Sequence, residues 1–147
     1  MRLSTKGEYA TRAVLYLSRR HGTGTVQINE IAHNEGIPTK YLEQILLTLK
    51  NAGLLISKKG VKGGYYLARP PEEITVGEVV RVMDGPLAPI RCASEKFYER
   101  CSLEPSCGLR GLWLEVRGAI SGILDNRTFG DLCKSIDQHQ REPMYYI

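Results

Sequence analysis

No run of 18 apolar residues occurs in this 147-residue chain, so nothing in it reads as a membrane-spanning helix. Its opening segment, MRLSTKGEYA, lacks the apolar stretch of a signal peptide, and export is not expected. A cytoplasmic setting follows by elimination, and there cysteines more often bind metal or react than form disulfides. Catalytic sets are missing as well. No Ser/His/Asp constellation, phosphate loop or paired-carboxylate motif is visible, and His21, His33 and His139 sit in dissimilar contexts, so an enzyme is not expected. The cysteines lack the Cys-x-x-Cys pairing of zinc knuckles. No internal repeat or low-complexity segment appears.

What is present is uneven charge. Residues 1–69 carry 11 Lys and Arg against 4 Glu, whereas residues 70–147 carry 9 against 12 Asp and Glu. A basic half joined to a mildly acidic one fits a polyanion-binding module that carries a sensing or dimerising module. The length suits one compact domain with an appended oligomerisation element.

The first half reads as helix, helix, helix, hairpin. In residues 7–20, Ala10, Ala13, Val14 and Leu17 share a face opposite the arginines, with Ser4 and Thr5 as candidate caps. Ile28–Glu35 reads as a short helix stopped at Gly36. Pro38 and Thr39 open the next, running from Lys40 to Ala52 with Leu42, Ile45, Leu46 and Leu49 inward, and Gly53 sits at the C-terminal cap. This pair, joined through a Gly-containing turn, matches a helix-turn-helix. Leu54–Ser57 and Tyr65–Ala68 then read as strands around a basic, glycine-rich turn. A hairpin tipped with Lys58, Lys59 and Lys62 after a candidate recognition helix is a wing. Its lysines neutralise phosphates, and Gly63 and Gly64 let the backbone approach them.

The second half is sparser. Residues 75–83 make a short helix with Val76, Val79, Val80 and Met83 apolar. Residues 86–107 show no periodicity, which in a small protein marks function or disorder. From Leu109 to Leu124 a strong stripe returns: Leu109, Leu112, Trp113, Val116, Ile120 and Ile123. Little chain remains to cover it, so it reads as a dimerisation helix. Thr128–Ile136 is a last short helix, and the tail from Asp137 is expected to be loosely held. The expected fold is mostly α with a small β-hairpin wing: a winged helix-turn-helix domain (1–84), a cysteine-bearing loop (85–107), a dimerisation helix with a short helix after it (108–136) and a flexible tail (137–147).

Recognition helices present their N-terminal turns to the major groove. The buried stripe leaves Thr39, Lys40, Tyr41, Glu43 and Gln44 outward there, with Arg2 a further candidate contact. Gln44 suits an adenine edge, Glu43 a cytosine amino group, and Lys40 guanine or phosphate. Glu43 also has a bland reading, as a cap or as a partner of Lys40 or of a neighbouring helix.

Cys92, Cys101 and Cys107 are separated by eight and five residues on a Gly- and Pro-punctuated segment. Such thiolates can converge on one soft metal centre. The spacing alone leaves an iron–sulfur cluster, zinc and free thiols all open. Cys133, on an apolar helix, reads as packing.

MRLSTKGEYA, IPTKYLEQIL, KKGVKGGYYL and ITVGEVVRVMDGP together resemble the IscR-type family of bacterial transcription regulators, over roughly residues 1–136. That superfamily includes IscR, NsrR, RirA and CymR, and the similarity is closest to IscR. The resemblance implies a winged-helix homodimer on a pseudo-palindromic operator, with the residue at Glu43 discriminating operator classes. The wing departs from IscR at Lys59 and Val61, where IscR has an arginine and a proline. The resemblance also implies a cluster held by Cys92, Cys101 and Cys107, 2Fe–2S being favoured and 4Fe–4S the alternative. IscR completes its ligand set with a histidine three residues past the third cysteine. Here that position is Arg110, which cannot ligate. Some related members supply a first-helix carboxylate across the dimer, and Glu8 stands at that place; its bland reading is a first-turn helix acid. The expected function is cluster-sensing control of iron–sulfur assembly genes. The alternatives are nitric-oxide or redox sensing, or a cluster-free thiol- or zinc-responsive regulator.

Overall fold

A computed structural model describes residues 2–142, which form six α-helices and one two-stranded hairpin that packs on the first and third helices. Helix α1 (Thr5–Arg19) starts where Ser4 accepts a 2.9 Å bond from the Gly7 amide, the expected cap. Its Ala10, Ala13, Val14 and Leu17 are fully buried, as their spacing predicts. Helix α2 (Ile28–Glu35) has the expected bounds and ends at Gly36, whose φ of 63° is the left-handed cap conformation. Helix α3 (Thr39–Asn51) buries Leu42, Ile45, Leu46 and Leu49 completely against α1 and α2. Fully burying four such side chains contributes about 1.5–3 kcal/mol each, which fixes the helix pair.

Strands β1 (Leu55–Lys58) and β2 (Gly64–Leu67) pair antiparallel, Leu55 opposite Leu67 and Lys58 opposite Gly64. Val26, in the α1–α2 loop, bridges to Tyr65, so a third segment anchors the hairpin near its turn end. Helix α4 (Val76–Asp84) is capped by Thr75 and buries Val79 and Val80. Helix α5 (Arg110–Leu124) follows the cysteine loop, and helix α6 (Phe129–Arg141) opens with a capping box of Thr128 and Asp131.

Two differences from the sequence reading concern the C-terminal part. Helix α6 runs to Arg141, where a loosely held tail from Asp137 was expected. Residues 137–141, DQHQR, bury nothing and give no apolar periodicity, yet the helical hydrogen bonding simply continues. Residues 143–147 of that tail lie outside the described residues. The second difference is the grouping. Instead of pairing with α5, α6 returns to the N-terminal core: Phe129 has no exposed surface and its amide donates to the Ile74 carbonyl at 2.9 Å. The strand bounds are also one residue later at β1 and one earlier at β2 than expected.

Candidate nucleic-acid interface and cysteine loop

One side of the molecule collects the start of α2, the outer face of α3 and the hairpin. Gln27, Asn29, Thr39, Glu43, Lys50, Lys58, Lys59 and Gly63 line a single open groove there. Thr39, Lys40, Glu43 and Gln44 are all exposed, but Tyr41 is half-buried, its ring edge-on to Tyr9 with centroids 5.7 Å apart. Tyr9 offers a surface to lean on, so Tyr41 packs where the periodicity alone placed it outward. Sequence reasoning missed Leu47. It is 51% exposed, one turn beyond Glu43 on the same face; the signal was a leucine off the buried stripe.

All ion pairs among the described residues use arginines, leaving Lys40, Lys50, Lys58, Lys59 and Lys62 without a carboxylate partner. Lys58 instead stands 5.9 Å from the centre of the Tyr66 ring. The wing tip is held to the loop before α2: Thr25 donates to the Lys62 carbonyl at 2.7 Å and Gln27 to the Val61 carbonyl at 3.3 Å. The wing glycines have an internal reason. A Cβ at Gly63 would lie 2.4 Å from the Lys58 carbonyl oxygen, and one at Gly64 2.3 Å from that of Val26. Arg2 lies away from this groove, lining a cleft with Asp84 and residues 85–89.

The segment without periodicity is ordered by side chains. Arg91 pairs with Glu99 at 2.8 Å, and Arg117 of α5 donates to the Ala93 carbonyl at 2.7 Å and meets Glu95 at 3.3 Å. Tyr98 donates its hydroxyl to Glu104 at 2.6 Å. Arg110 Nε lies 3.1 Å from the other carboxylate oxygen of Glu104, close enough to attract but misaligned for a hydrogen bond. Tyr98 foremost, then Arg110, holds the Glu104 carboxyl below the usual range. Cys92 is half-buried and Cys101 and Cys107 are exposed, all three as free thiols. Among the described residues no three His, Cys, Asp or Glu side chains stand close enough to hold a metal ion. Burial pushes the Cys133 thiol up, away from the thiolate a metal needs. Glu8 is exposed in the first turn of α1, 3.9 Å from Arg12.

Helix α5 has no buried residue. Leu109, Leu112 and Ile123 are exposed, while Trp113, Val116 and Ile120 are half-buried. A second apolar surface lies beyond the C-terminal end of α5, between α1, α4 and α6. Leu3, Leu15, Val76, Val80, Leu124 and Leu132 line a groove of about 340 Å³ with Arg12 on its rim. No helix among the described residues is long and apolar enough to cross a membrane.

A family model described as Rrf2, iron-dependent transcriptional regulator, matches residues 3–135. The chain is 36% identical to the HTH-type transcriptional regulator CymR of Bacillus subtilis over 147 residues, all of both chains. The solved structure of CymR, described as the global cysteine regulator of that organism, is similar with a TM-score of 0.76 at 34% identity, covering 92% of this chain and 98% of that one. The structure of IscR from T. potens is similar with a TM-score of 0.77 at 32% identity, covering 99% and 95%.

Proposed function

This chain belongs to the Rrf2 family of DNA-binding transcription regulators, and we propose that it works there as a homodimer sensing an iron–sulfur cluster. It is a regulator with a winged-helix fold, not an enzyme. The observation that carries the sensing role is the placement of three free thiols on one loop. That loop lies between the DNA-binding helices and an α5 none of whose residues is fully buried within its own chain. A second copy would supply what α5 lacks, since an apolar ridge and an apolar groove on one chain make a self-complementary pair under two-fold symmetry.

In this reading Lys58, Lys59 and Lys62 neutralise phosphates, Glu43 and Gln44 read base edges, and Leu47 meets a thymine methyl group. Two such groups on a symmetric dimer call for a pseudo-palindromic operator. Tyr41 acts by positioning α3 through Tyr9. Cys92, Cys101 and Cys107, which stand apart in the single chain, would have to be drawn together to supply thiolates, the donors such a cluster takes, and Arg110 does not ligate. Glu8 supplies the remaining donor from the partner. Its neighbour Arg12 rims the apolar groove, so a copy seated there comes up beside Glu8. The cluster, when bound, supplies a redox- and nitric-oxide-sensitive group whose loss frees four side chains. Iron–sulfur assembly genes are the proposed targets.

A second reading has one observation in its favour, the full-length similarity to CymR. In it the exposed Cys101 and Cys107 respond directly, with no cluster. Anaerobic purification followed by visible absorbance and by iron, sulfide and zinc analysis separates the two. Colour with stoichiometric iron and sulfide supports cluster sensing; a colourless protein, with zinc or with no metal, overturns it.

A further inference from the structure

A cavity of about 260 Å³ opens between the end of α4, the cysteine loop and α5. Its walls are Arg81 from α4, residues 85–88, Glu95, Lys96 and Phe97 from the loop, and Arg117 and Ser121 from α5. Its three cations face Glu95 on the wall and Asp125 behind Arg81, which leaves one positive charge in excess. Their states differ. Arg81 is spent on Asp125, which it grips with two bonds of 2.5 and 2.8 Å. Arg117 is oriented by its bond to the Ala93 carbonyl, and its other nitrogen meets only Glu95 at 3.3 Å. Lys96 has no carboxylate partner among the described residues. The Glu95 side chain is 79% exposed, so it is a weakly held counter-ion that another carboxylate can replace. The remaining wall is apolar: Pro86, Leu87, Ala88 and a Phe97 that is 64% exposed. An aromatic ring left that open beside a fixed guanidinium forms half of an amphipathic binding site.

We propose that this cavity binds a small monocarboxylate with an apolar body of five or six carbons. Its carboxylate replaces Glu95 on Arg117 and draws in Lys96, while its body covers Phe97 and Leu87. Size sets the class. A cavity of about 260 Å³ stands at the small end of ligand pockets and suits a compact ligand on the scale of hexanoate or benzoate. Arg117 pays no further orientation cost, because the Ala93 carbonyl already holds it. Occupancy would alter the contact between the cysteine loop and α5, and so couple a soluble metabolite to the sensing segment.

The test is titration of the full-length protein with hexanoate, benzoate and the neutral hexanamide. The readouts are calorimetry and, for hexanoate and hexanamide, emission from Trp113, the chain's only tryptophan, one turn before Arg117. Hexanoate should bind saturably at millimolar concentration or better, and about tenfold tighter than hexanamide. Glu95→Gln should tighten it by about threefold, and Lys96→Ala should weaken it by a similar factor. Both sites are exposed, so neither variant threatens folding. Absence of saturable binding by either carboxylate, equal binding by the amide, or no tightening in Glu95→Gln overturns the proposal. Operator binding measured without any carboxylate stands apart from these outcomes, so loss of the regulator reading would be seen separately.

Discussion

Ser4 and Asp84 lie 80 residues apart and share one carboxylate. The Ser4 amide donates to Asp84 at 2.9 Å, its hydroxyl donates to the other oxygen, and the same hydroxyl oxygen caps Gly7 at 2.9 Å. Space for this clamp comes from Gly7, where a Cβ would lie 2.7 Å from the Asp84 carboxylate. Ser4→Ala removes the cap, about 1 kcal/mol, and one charge-assisted bond. Because both residues are exposed, that bond is discounted to ~0.5–1 kcal/mol, for a total near 1.5–2 kcal/mol. Asp84→Ala removes both carboxylate bonds but spares the cap, about 1–1.5 kcal/mol. The hydroxyl bond is counted in both, so the double variant should fall short of the sum by roughly 0.5–1 kcal/mol. Urea unfolding of the four proteins measures this, with m unchanged. Additivity within about 0.3 kcal/mol would show that the two residues do not act together and refute the clamp.

Three further outcomes are expected. Glu43→Ala should relax discrimination between operators differing at one base pair, by about 1–3 kcal/mol, in competition binding. A uniform loss on every operator would contradict base reading. Leu112→Asp should shift the protein from dimer to monomer in sedimentation, because each lost leucine forfeits ~1.5–3 kcal/mol and a two-fold interface loses it twice. An unchanged dimer would remove α5 from the interface. Asp125 has its pKa depressed, chiefly by its paired bonds with Arg81. A depressed carboxylate stabilises the fold above its unfolded value of about 4, and that stability is lost as pH falls through the folded value. Asp125→Asn should therefore lower stability at neutral pH and flatten the acid limb of the unfolding curve; an identical limb would mean the α4–α5 pair contributes nothing.

The winged helix was legible because its signals are local and redundant. Gly36 and Gly53 mark helix ends by needing φ of 63° and 81°, and the α3 leucines repeat at helical spacing. What was not legible depends on residues distant in sequence. Tyr41 needs Tyr9, and the packing role of Gly64 needs Val26. Phe129 enters the core only because Ile74 and Arg127 bring the start of α6 beside α4. The cysteine loop has no periodicity because polar side chains order it: Arg91, Glu99, Tyr98 and Glu104 carry no hydrophobic signal. The proposed cluster site is less legible still, since a donor from a second copy is no part of one chain.

Helix α1 is the element through which such a donor would act. It packs against α2, α3, α4, α6 and β2, so a force on its first turn reaches the reading helix. The polar route is short. Arg12 lies 3.9 Å from Glu8, and its Nε donates to the Glu35 carboxylate at 3.3 Å, while its Nη2 donates to the Glu35 carbonyl. Glu35 immediately precedes the Gly36 turn that leads into α3. A Glu8 drawn to the partner's thiolates leaves Arg12 to Glu35 alone, and a Glu8 released from them competes for it. Glu8→Ala should therefore loosen the cluster, read as faster bleaching under chelator, with the unfolding midpoint of the cluster-free protein nearly unchanged because an exposed 3.9 Å pair is worth ~0–1 kcal/mol. Arg12→Lys should leave the cluster spectrum alone and reduce the difference in operator affinity between the two forms, since an ammonium cannot hold carboxylate and carbonyl at once in the guanidinium's fork. An unaltered bleaching rate in Glu8→Ala removes Glu8 from the ligand set. A full affinity difference in Arg12→Lys places the coupling in the packing of α1 rather than in this chain of charges.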